Sequence, residues 1–313
     1  MKQPVYEGKI TDVQGIRVGQ AGNRQAMTGV TVVLAGQEGA TVGADVRGAA
    51  PGTRETDLCR PENTVEKAHA VVLSGGSAYG LASAAGVMEY LEQENIGVDM
   101  GVCRVPIVPA AVVFDLMVGD AHVRPDAAMG MEACRAASDE VQQGAVGAGT
   151  GATVGKMVPG CIPARGGVGT AGIKLACGVT VGAIAVVNAC GDVYDLNGAP
   201  IGVGRLPNGT PVPVESVLYG AIPAGKEGQN TTIGVVATDA VLTKAQAQRL
   251  ATCAHDGLAR TIRPVHTQMD GDTIFALATG KVEADVLPVQ LCAAAAEAMA
   301  RAVVNAVVMG AEE

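Results

Sequence analysis

Apolar and polar positions follow two periods along the chain, one typical of buried strands and one typical of helices. Short apolar runs, mostly β-branched, predict six strands at residues 30–34, 40–46, 70–73, 179–187, 233–237 and 273–278. Helical spacing predicts one helix from about 77 to 93, one that ends at 138–143, and two more at 244–260 and 289–308. The proline-rich segment 197–230 is predicted to be a loop.

A Gly-Gln-Glu-Gly turn at 36–39 lies between the first two strands and predicts that they pair as a hairpin. This hairpin and the threonine-rich strands favour a mixed or antiparallel sheet covered by helices over a doubly wound parallel sheet. The pattern contains no internal repeat and no linker. The chain is therefore predicted to be a single α/β domain spanning residues 1–313.

Composition narrows the range of partners. Lys and Arg number 22 against 31 Asp and Glu, so the net charge is −9, and the chain has two Phe, five Tyr and no Trp. An acidic chain with few aromatic residues is a poor match for nucleic acid or an anionic membrane surface. A core of Ala, Val and Gly with only 17 % charged residues predicts that other subunits cover part of the surface, as in a homo-oligomer.

The sequence predicts a cytoplasmic protein without metal or cofactor. The first residues lack the apolar region of a signal peptide, and the apolar run 177–188 is too short to cross a bilayer. Eight cysteines form no C-x-x-C pair and are interpreted as free thiols. The glycine-rich stretches match no nucleotide-binding motif, since Met157 follows Lys156 where a phosphate loop needs Ser or Thr. Tight turns and close backbone packing explain these glycines.

An Asn-Thr peptide bond joins the polar segment 225–229 to the apolar strand after it. The Thr231 hydroxyl is placed to attack the Asn230 carbonyl, shift the acyl group from nitrogen to oxygen, and let water release an N-terminal threonine. An α-amine titrates near pH 7.7–8.0, so the freed residue carries both a nucleophile and its own base. On these residues alone, however, the start of an ordinary strand is the better explanation.

Three further motifs accompany this bond: Ala-Thr-Asp-Ala at 237–240, His-Thr-Gln-Met-Asp-Gly-Asp-Thr-Ile-Phe at 266–275, and Leu-Ser-Gly-Gly-Ser-Ala-Tyr-Gly-Leu at 73–81. With Asn-Thr-Thr-Ile at 230–233 they resemble the DmpA-type family of D-/β-peptidyl aminopeptidases, a pantetheine-amide hydrolase and endo-type nylon-oligomer hydrolases. Threonine with Asp-Gly-Asp is closer to the last two. The resemblance implies an αββα sandwich of the N-terminal-nucleophile type and self-cleavage into chains 1–230 and 231–313.

The resemblance also implies roles for the residues at the cleavage site. Thr231 matches the family nucleophile, with Thr232 as the fallback. Asp270 and Asp272 stand two residues apart, so that on an extended segment their carboxylates face one side. One of the two is expected to hold the amine and hydroxyl of Thr231. Without the resemblance, Asp-Gly-Asp is better explained as a turn or a calcium-like loop.

Three further residues are implied to complete the site. Lys156 is expected to lower the hydroxyl pKa or assist the attack as a nearby cation. Asn188 and Tyr79 are expected to stabilise the oxyanion. Taken alone, these three residues are equally explained as a surface lysine, a strand-ending turn residue and a packed tyrosine. His255 and His266 are interpreted as structural.

The function implied is hydrolysis of amide bonds in small peptides or peptide-like amides, by αβ units assembled as a tetramer or larger homo-oligomer. Cleavage of nylon oligomers, which are man-made, would be a side activity. Acyl transfer is an alternative, because ornithine acetyltransferases resemble this architecture and also self-cleave before a threonine. A structural homologue that never cleaves is a second alternative.

Overall fold

The computed structural model describes residues 3–220 and 230–311, and in them two β-sheets are stacked between two pairs of helices. One apolar core lies between the sheets, and one lies between each sheet and its helices. The layers are therefore helix, sheet, sheet and helix, which confirms the predicted αββα sandwich.

Eleven strands build the two large sheets: β1 (Arg17–Asn23), β2 (Thr28–Leu34), β3 (Ala40–Val46), β4 (Thr53–Arg54), β5 (Lys67–Ala68), β6 (Ala70–Ser74), β7 (Ala110–Val112), β8 (Gly167–Lys174), β9 (Thr180–Asn188), β10 (Thr231–Ala240) and β11 (Thr273–Val282). The five-stranded sheet has the order β1-β2-β6-β7-β4, and the six-stranded sheet has the order β8-β9-β10-β11-β3-β5. Neighbours are antiparallel except β6 with β7 and β10 with β11, so both sheets are mixed.

Helices α1 (Ser83–Gln93) and α2 (Ala127–Arg135) cover the five-stranded sheet, and α3 (Lys244–Thr261) and α4 (Pro288–Gly310) cover the six-stranded one. Helix α4 is long and apolar enough to cross a membrane, but 67 % of its most apolar window is buried in the fold, as in a core helix. Short elements connect the layers: strands Val98–Asp99, Arg104–Val105, Thr153–Val154, Ala164–Arg165, Asp192–Tyr194, Pro200–Gly202 and Ile262–Arg263, and 3₁₀ turns Ile10–Asp12, Ser77–Ala82, Gly147–Gly149 and Val214–Ser216.

Strand β9 shows why the central strands are apolar on both faces. Ala183 and Ala185 belong to the core under α3 and α4, whereas Ile184 and Val186 belong to the core between the sheets. A strand covered on both faces has no polar side, which explains its nearly continuous apolar run. Each Val or Ile side chain buried in this way contributes about 1.5–3 kcal/mol.

Two predictions about elements are wrong. Strands β2 and β3 do not form a hairpin, because β2 pairs with β1 and β6, and β3 pairs with β11 and β5 in the other sheet. Both faces of β2 are buried. The turn after β2 leads the chain into the six-stranded sheet, which covers one of these two faces. The helix predicted to end at 138–143 ends at Arg135, and Ser138 instead exchanges two backbone hydrogen bonds with Val18 at the edge of β1.

The segment 197–220 is mostly irregular, as predicted, with only one short strand and one 3₁₀ turn. The polar segment 225–229 lies outside the described residues.

Candidate active site

The residues of the predicted cleavage site meet at one edge of the six-stranded sheet. Strand β10 begins at Thr231, and Asn188, the last residue of β9, is its cross-strand partner. Strands β10 and β11 are parallel, so both begin at this edge, and the segment that leads into β11 carries Asp270 and Asp272. Residues from three distant parts of the sequence are thus brought together, as the resemblance implies.

The Thr231 hydroxyl donates a hydrogen bond to the carbonyl oxygen of Asn230. The Gly271 amide donates to the same oxygen over 2.9 Å. Both Asn230 and Thr231 are buried. The hydroxyl therefore lies beside the peptide bond that it is predicted to attack, and a backbone N–H is already aimed at the oxygen where negative charge would develop.

Gly271 was missed by sequence reasoning, although it is the middle residue of Asp-Gly-Asp. A Cβ at this position would lie 2.6 Å from the Ala50 oxygen and 2.9 Å from the Thr231 hydroxyl oxygen. Only a residue without a side chain permits this approach. The signal in the sequence was the glycine itself, which had been explained as part of a turn.

Asp270 lies next to Asn230, with which it forms an isolated β-bridge. The Thr267 amide and hydroxyl donate to its Oδ2 over 3.0 and 2.6 Å. The nearby Cys190 backbone amide also favours the charged form of this carboxylate and lowers its pKa. Burial, followed by the negative charge of Asp272, raises the pKa of Asp270. The structure therefore holds this carboxylate firmly in a site that disfavours its charge.

Asp272 contacts strand β10 at Thr232, one residue after Thr231. Its Oδ1 accepts the Thr232 amide over 2.6 Å, and its Oδ2 accepts the backbone amide of His266 over 3.0 Å, with the ring Nδ1 at 2.8 Å. His266, interpreted as structural, thus fixes Asp272. The Thr232 hydroxyl is buried without a hydrogen-bond partner among the described residues, which favours Thr231 over Thr232 as the nucleophile.

Lys156 is not a surface lysine. Its Nζ donates to the backbone oxygen of Asn188 over 2.9 Å and to the side-chain Oδ1 over 3.1 Å. Burial lowers the pKa of Lys156 to about 7, while Cys190 and the Asp270 carboxylate act in the opposite direction. A lysine in this environment gains or loses its proton near neutral pH.

Asn188 is fully buried and fixed in one orientation. Besides Lys156, its Oδ1 accepts the Thr153 amide over 3.0 Å, and its Nδ2 donates to the Phe114 oxygen over 3.0 Å. Phe114 in turn lines a pocket beside Thr231. The amide of Asn188 is therefore pre-organised next to Thr231.

A pocket of about 180 Å³ opens beside Thr231 and is lined by Ala50, Pro51, Gly52, Ser77, Ala78, Val112, Phe114 and Thr231 itself. Tyr79 is not among these residues: it is 60 % exposed, and the Arg124 guanidinium lies 3.7 Å above its ring. Its neighbours Ser77 and Ala78 do line the pocket. The structure thus brings together Thr231, Asp270, Asp272, Lys156 and Asn188, but it leaves Tyr79 at the rim.

Within residues 3–220 and 230–311, no group of three or more His, Cys, Asp or Glu side chains is placed to hold a metal ion.

Comparison with known proteins gives one consistent result. The sequence model of peptidase family S58 matches residues 8–313. An uncharacterised aminopeptidase of Mycobacterium leprae is 48 % identical, over 95 % of this chain and 89 % of its own length. The 6-aminohexanoate-oligomer endohydrolase of Paenarthrobacter ureafaciens is 31 % identical, over 88 % and 76 %.

A solved structure extends the comparison to the fold. The L-aminopeptidase D-Ala-esterase/amidase of Ochrobactrum anthropi, described as a variant of the Ntn hydrolase fold, superposes with a TM-score of 0.71. The alignment covers 99 % of this chain and 88 % of that one at 21 % identity. This likeness shows that the two chains share an architecture.

Proposed function

The chain belongs to peptidase family S58 and hydrolyses peptide or amide bonds, and we propose that its nucleophile is Thr231, freed when the Asn230–Thr231 bond cleaves itself. The observation that carries this proposal is the hydrogen bond from the Thr231 hydroxyl to the Asn230 carbonyl, which also accepts the Gly271 amide. Nucleophile, electrophile and oxyanion donor are together in one buried site.

Self-cleavage would begin when the Thr231 oxygen attacks the Asn230 carbonyl carbon. The carbonyl oxygen gains negative charge, which the Gly271 N–H stabilises. The C–N bond breaks, the threonine nitrogen takes a proton, and Asn230 is left as an ester on Thr231. Water then hydrolyses the ester and leaves a carboxylate on Asn230 and an amine on Thr231.

Turnover would reuse the same groups. The freed α-amine takes the hydroxyl proton while the Thr231 oxygen attacks the substrate carbonyl, whose oxygen occupies the position that the Asn230 oxygen held. The substrate C–N bond then breaks, the amine leaves with that proton, and water hydrolyses the ester on Thr231 to release the acid. The Gly271 amide and Asn188 would stabilise the oxyanion, and Asp270, Asp272 and Lys156 would fix the electrostatics of the amine. Tyr79 would join them only if it moved away from Arg124.

The pocket indicates the kind of acyl group that this site accepts. None of the described side chains that line it is charged, and Val112 and Phe114 provide apolar walls. A small, uncharged acyl group fits this lining. Relatives named as an aminopeptidase and an oligomer endohydrolase support hydrolysis and give no support to acyl transfer. Homo-oligomeric assembly and a cytoplasmic location stay predictions.

The experiment is a denaturing gel with intact masses, combined with hydrolysis of a substrate panel: β-peptides, D-amino-acid amides, pantetheine amides and 6-aminohexanoate oligomers. We expect the protein to separate into residues 1–230 and 231–313. Thr231→Ala should stay whole and lose at least about 10³-fold in hydrolysis, because it removes the attacking atom.

Thr232→Val is the matched control, because it removes a buried hydroxyl of the same strand that has no partner in the described structure. This variant should cleave and turn over like the parent. Cleavage by Thr231→Ala, or full amide hydrolysis by an uncut wild-type chain, would contradict the proposal.

A further inference from the structure

Helices α3 and α4 run parallel and approach each other very closely at one point. A Cβ on Gly257 would lie 2.5 Å from the Ala296 oxygen and 2.7 Å from the Ala300 nitrogen. The absence of a side chain at Gly257 is therefore what allows the two backbones to approach. Side chains on the neighbouring turns must meet across a short gap.

Cys253 and Cys292 occupy the turn before this contact. Cys253 is four residues before Gly257 on α3, and Cys292 is four residues before Ala296 on α4. Because the helices are parallel, one turn back on each brings these positions face to face. Cys253 lies near enough to Cys292 to raise the pKa of that thiol, and both residues are half-buried.

The environment of Cys292 indicates which of the two thiols reacts first. Burial raises the pKa of Cys292 to about 11, and the neighbouring Cys253 acts in the same direction, while Arg249 opposes both. Cys292 therefore keeps its proton near neutral pH. Because a protonated thiol is a poor nucleophile, the first attack is assigned to Cys253.

A surface cleft gives small molecules access to Cys292, one of the two thiols. A pocket of about 170 Å³ lies at the first turns of α3 and α4, and Cys292, Arg249 and Leu291 are among its lining residues. Cys59, Cys134 and Cys190, in contrast, are buried, and Cys103 and Cys177 are exposed.

We infer that Cys253 and Cys292 are a redox site at which a hydroperoxide forms a reversible disulfide between α3 and α4. The Cys253 sulfur attacks the peroxide, which breaks the O–O bond and gives a sulfenic acid and water or an alcohol. The Cys292 sulfur then displaces the hydroxyl as a second water. Two thiols lose two protons and two electrons, and the peroxide is reduced.

The disulfide would join two helices that cover the sheet carrying Thr231, and both cysteines lie within residues 231–313. The inference is independent of the proposed nucleophile, because the uncut Thr231→Ala variant contains the same helix pair. Its failure and the failure of the proposed function are therefore separate results.

The experiment oxidises the full-length protein with a small excess of hydrogen peroxide, in a background that carries Cys103→Ser and Cys177→Ser to suppress links between molecules. After alkylation of the remaining thiols, peptide mapping without reductant should show the Cys253 and Cys292 peptides joined. Two free thiols per chain should disappear and return with a dithiol reductant.

Cys253→Ser and Cys292→Ser should each abolish the link, whereas Cys134→Ser, which removes a buried thiol, should leave it unchanged. In Cys292→Ser the second thiol is missing, so the reaction stops at the sulfenic acid on Cys253. A sulfenic-acid reagent should therefore label Cys253 at least about tenfold more than in the parent. Full alkylation of both cysteines after peroxide treatment, or equal labelling in Cys292→Ser and the parent, would overturn the inference.

Discussion

Gly271 links the nucleophile to the segment that carries the two carboxylates, and it has no room for a side chain. We expect Gly271→Ala to slow self-cleavage by about tenfold or more, because the new methyl group meets the Ala50 oxygen at 2.6 Å and the Thr231 hydroxyl at 2.9 Å. Intact mass spectrometry over time measures the uncut fraction.

Gly220→Ala is the control for this substitution, because its added Cβ would meet one neighbouring oxygen, at 3.4 Å. It should cleave at the parental rate. If Gly271→Ala matured as fast as Gly220→Ala, the assignment of the Gly271 amide as oxyanion donor would be wrong.

Lys156 makes the stability of the fold depend on pH. Its folded pKa is lowered to about 7 from an ordinary value of 10.5, so the unfolded chain binds more protons between these values. The destabilisation is fully present below about pH 7 and is relieved as pH rises toward 10.5. In a Thr231→Ala background, Lys156→Met removes this group. The slope of the free energy of unfolding against pH should therefore fall by up to about 1.4 kcal/mol per pH unit.

Urea unfolding at pH 7, 8, 9 and 10 provides this slope. Lys281→Met, which changes an exposed lysine of β11, is the matched control and should leave the slope unchanged. Equal slopes for Lys156→Met and the parent would show that Lys156 keeps an ordinary pKa in the folded protein.

At the residue scale, the chemistry could be predicted only through the family resemblance. Lys156, Asn188 and Asp270 are far apart in the sequence. Strand pairing brings Asn188 and Asp270 to the Asn230–Thr231 bond, and hydrogen bonds to Asn188 hold Lys156 beside them. Each has an ordinary explanation when it is considered alone. Neither the Gly271 amide nor the His266–Asp272 contact could be predicted, because a backbone donor and a supporting histidine leave no sequence pattern.

At the scale of elements, the pairing of β9 with β10 holds the two proposed chains together. Eight residue pairs, from Val181 with Thr238 to Asn188 with Thr231, join a strand of 1–230 to a strand of 231–313. We expect the cleaved protein to elute as one species, at the same volume as uncut Thr231→Ala, in native size-exclusion chromatography. The two chains should separate only in denaturant.

The measurement is a denaturing gel of each eluted fraction, with both chains expected in equal molar amounts. A peak that contains only residues 231–313 would show that the strand pairing does not survive cleavage. Burial of all of β10 on both faces makes release unfavourable, because it would expose an apolar strand to water.

The strands themselves were predictable, while their partners were less so. Apolar runs identified β2, β6, β9, β10 and β11, because burial on both faces removes polar residues. The predicted hairpin of β2 and β3 failed because a glycine-rich turn fits a connection between stacked sheets as well as one between paired strands. Local sequence specifies the turn, but layer packing specifies the partner.

At the scale of the whole molecule, several of the 43 glycines have a role in packing the layers. A Cβ on Gly19 would lie 1.8 Å from the Ala133 oxygen of α2, and one on Gly169 would lie 2.1 Å from the Ala302 oxygen of α4. Helices therefore rest directly on strand backbones. The order of the four layers, in contrast, came from the resemblance, because composition is the same for many arrangements of such elements.

The Asn230 carbonyl, held by the Gly271 amide beside the Thr231 hydroxyl, occupies the position that a substrate carbonyl needs. On the proposed mechanism, each uncut molecule is blocked by its own peptide bond. A protein concentration taken from absorbance would then overstate the number of working enzymes in a fresh preparation. An activated ester that acylates the free threonine would count only the matured molecules, so burst titration, rather than protein mass, sets the denominator for every turnover number.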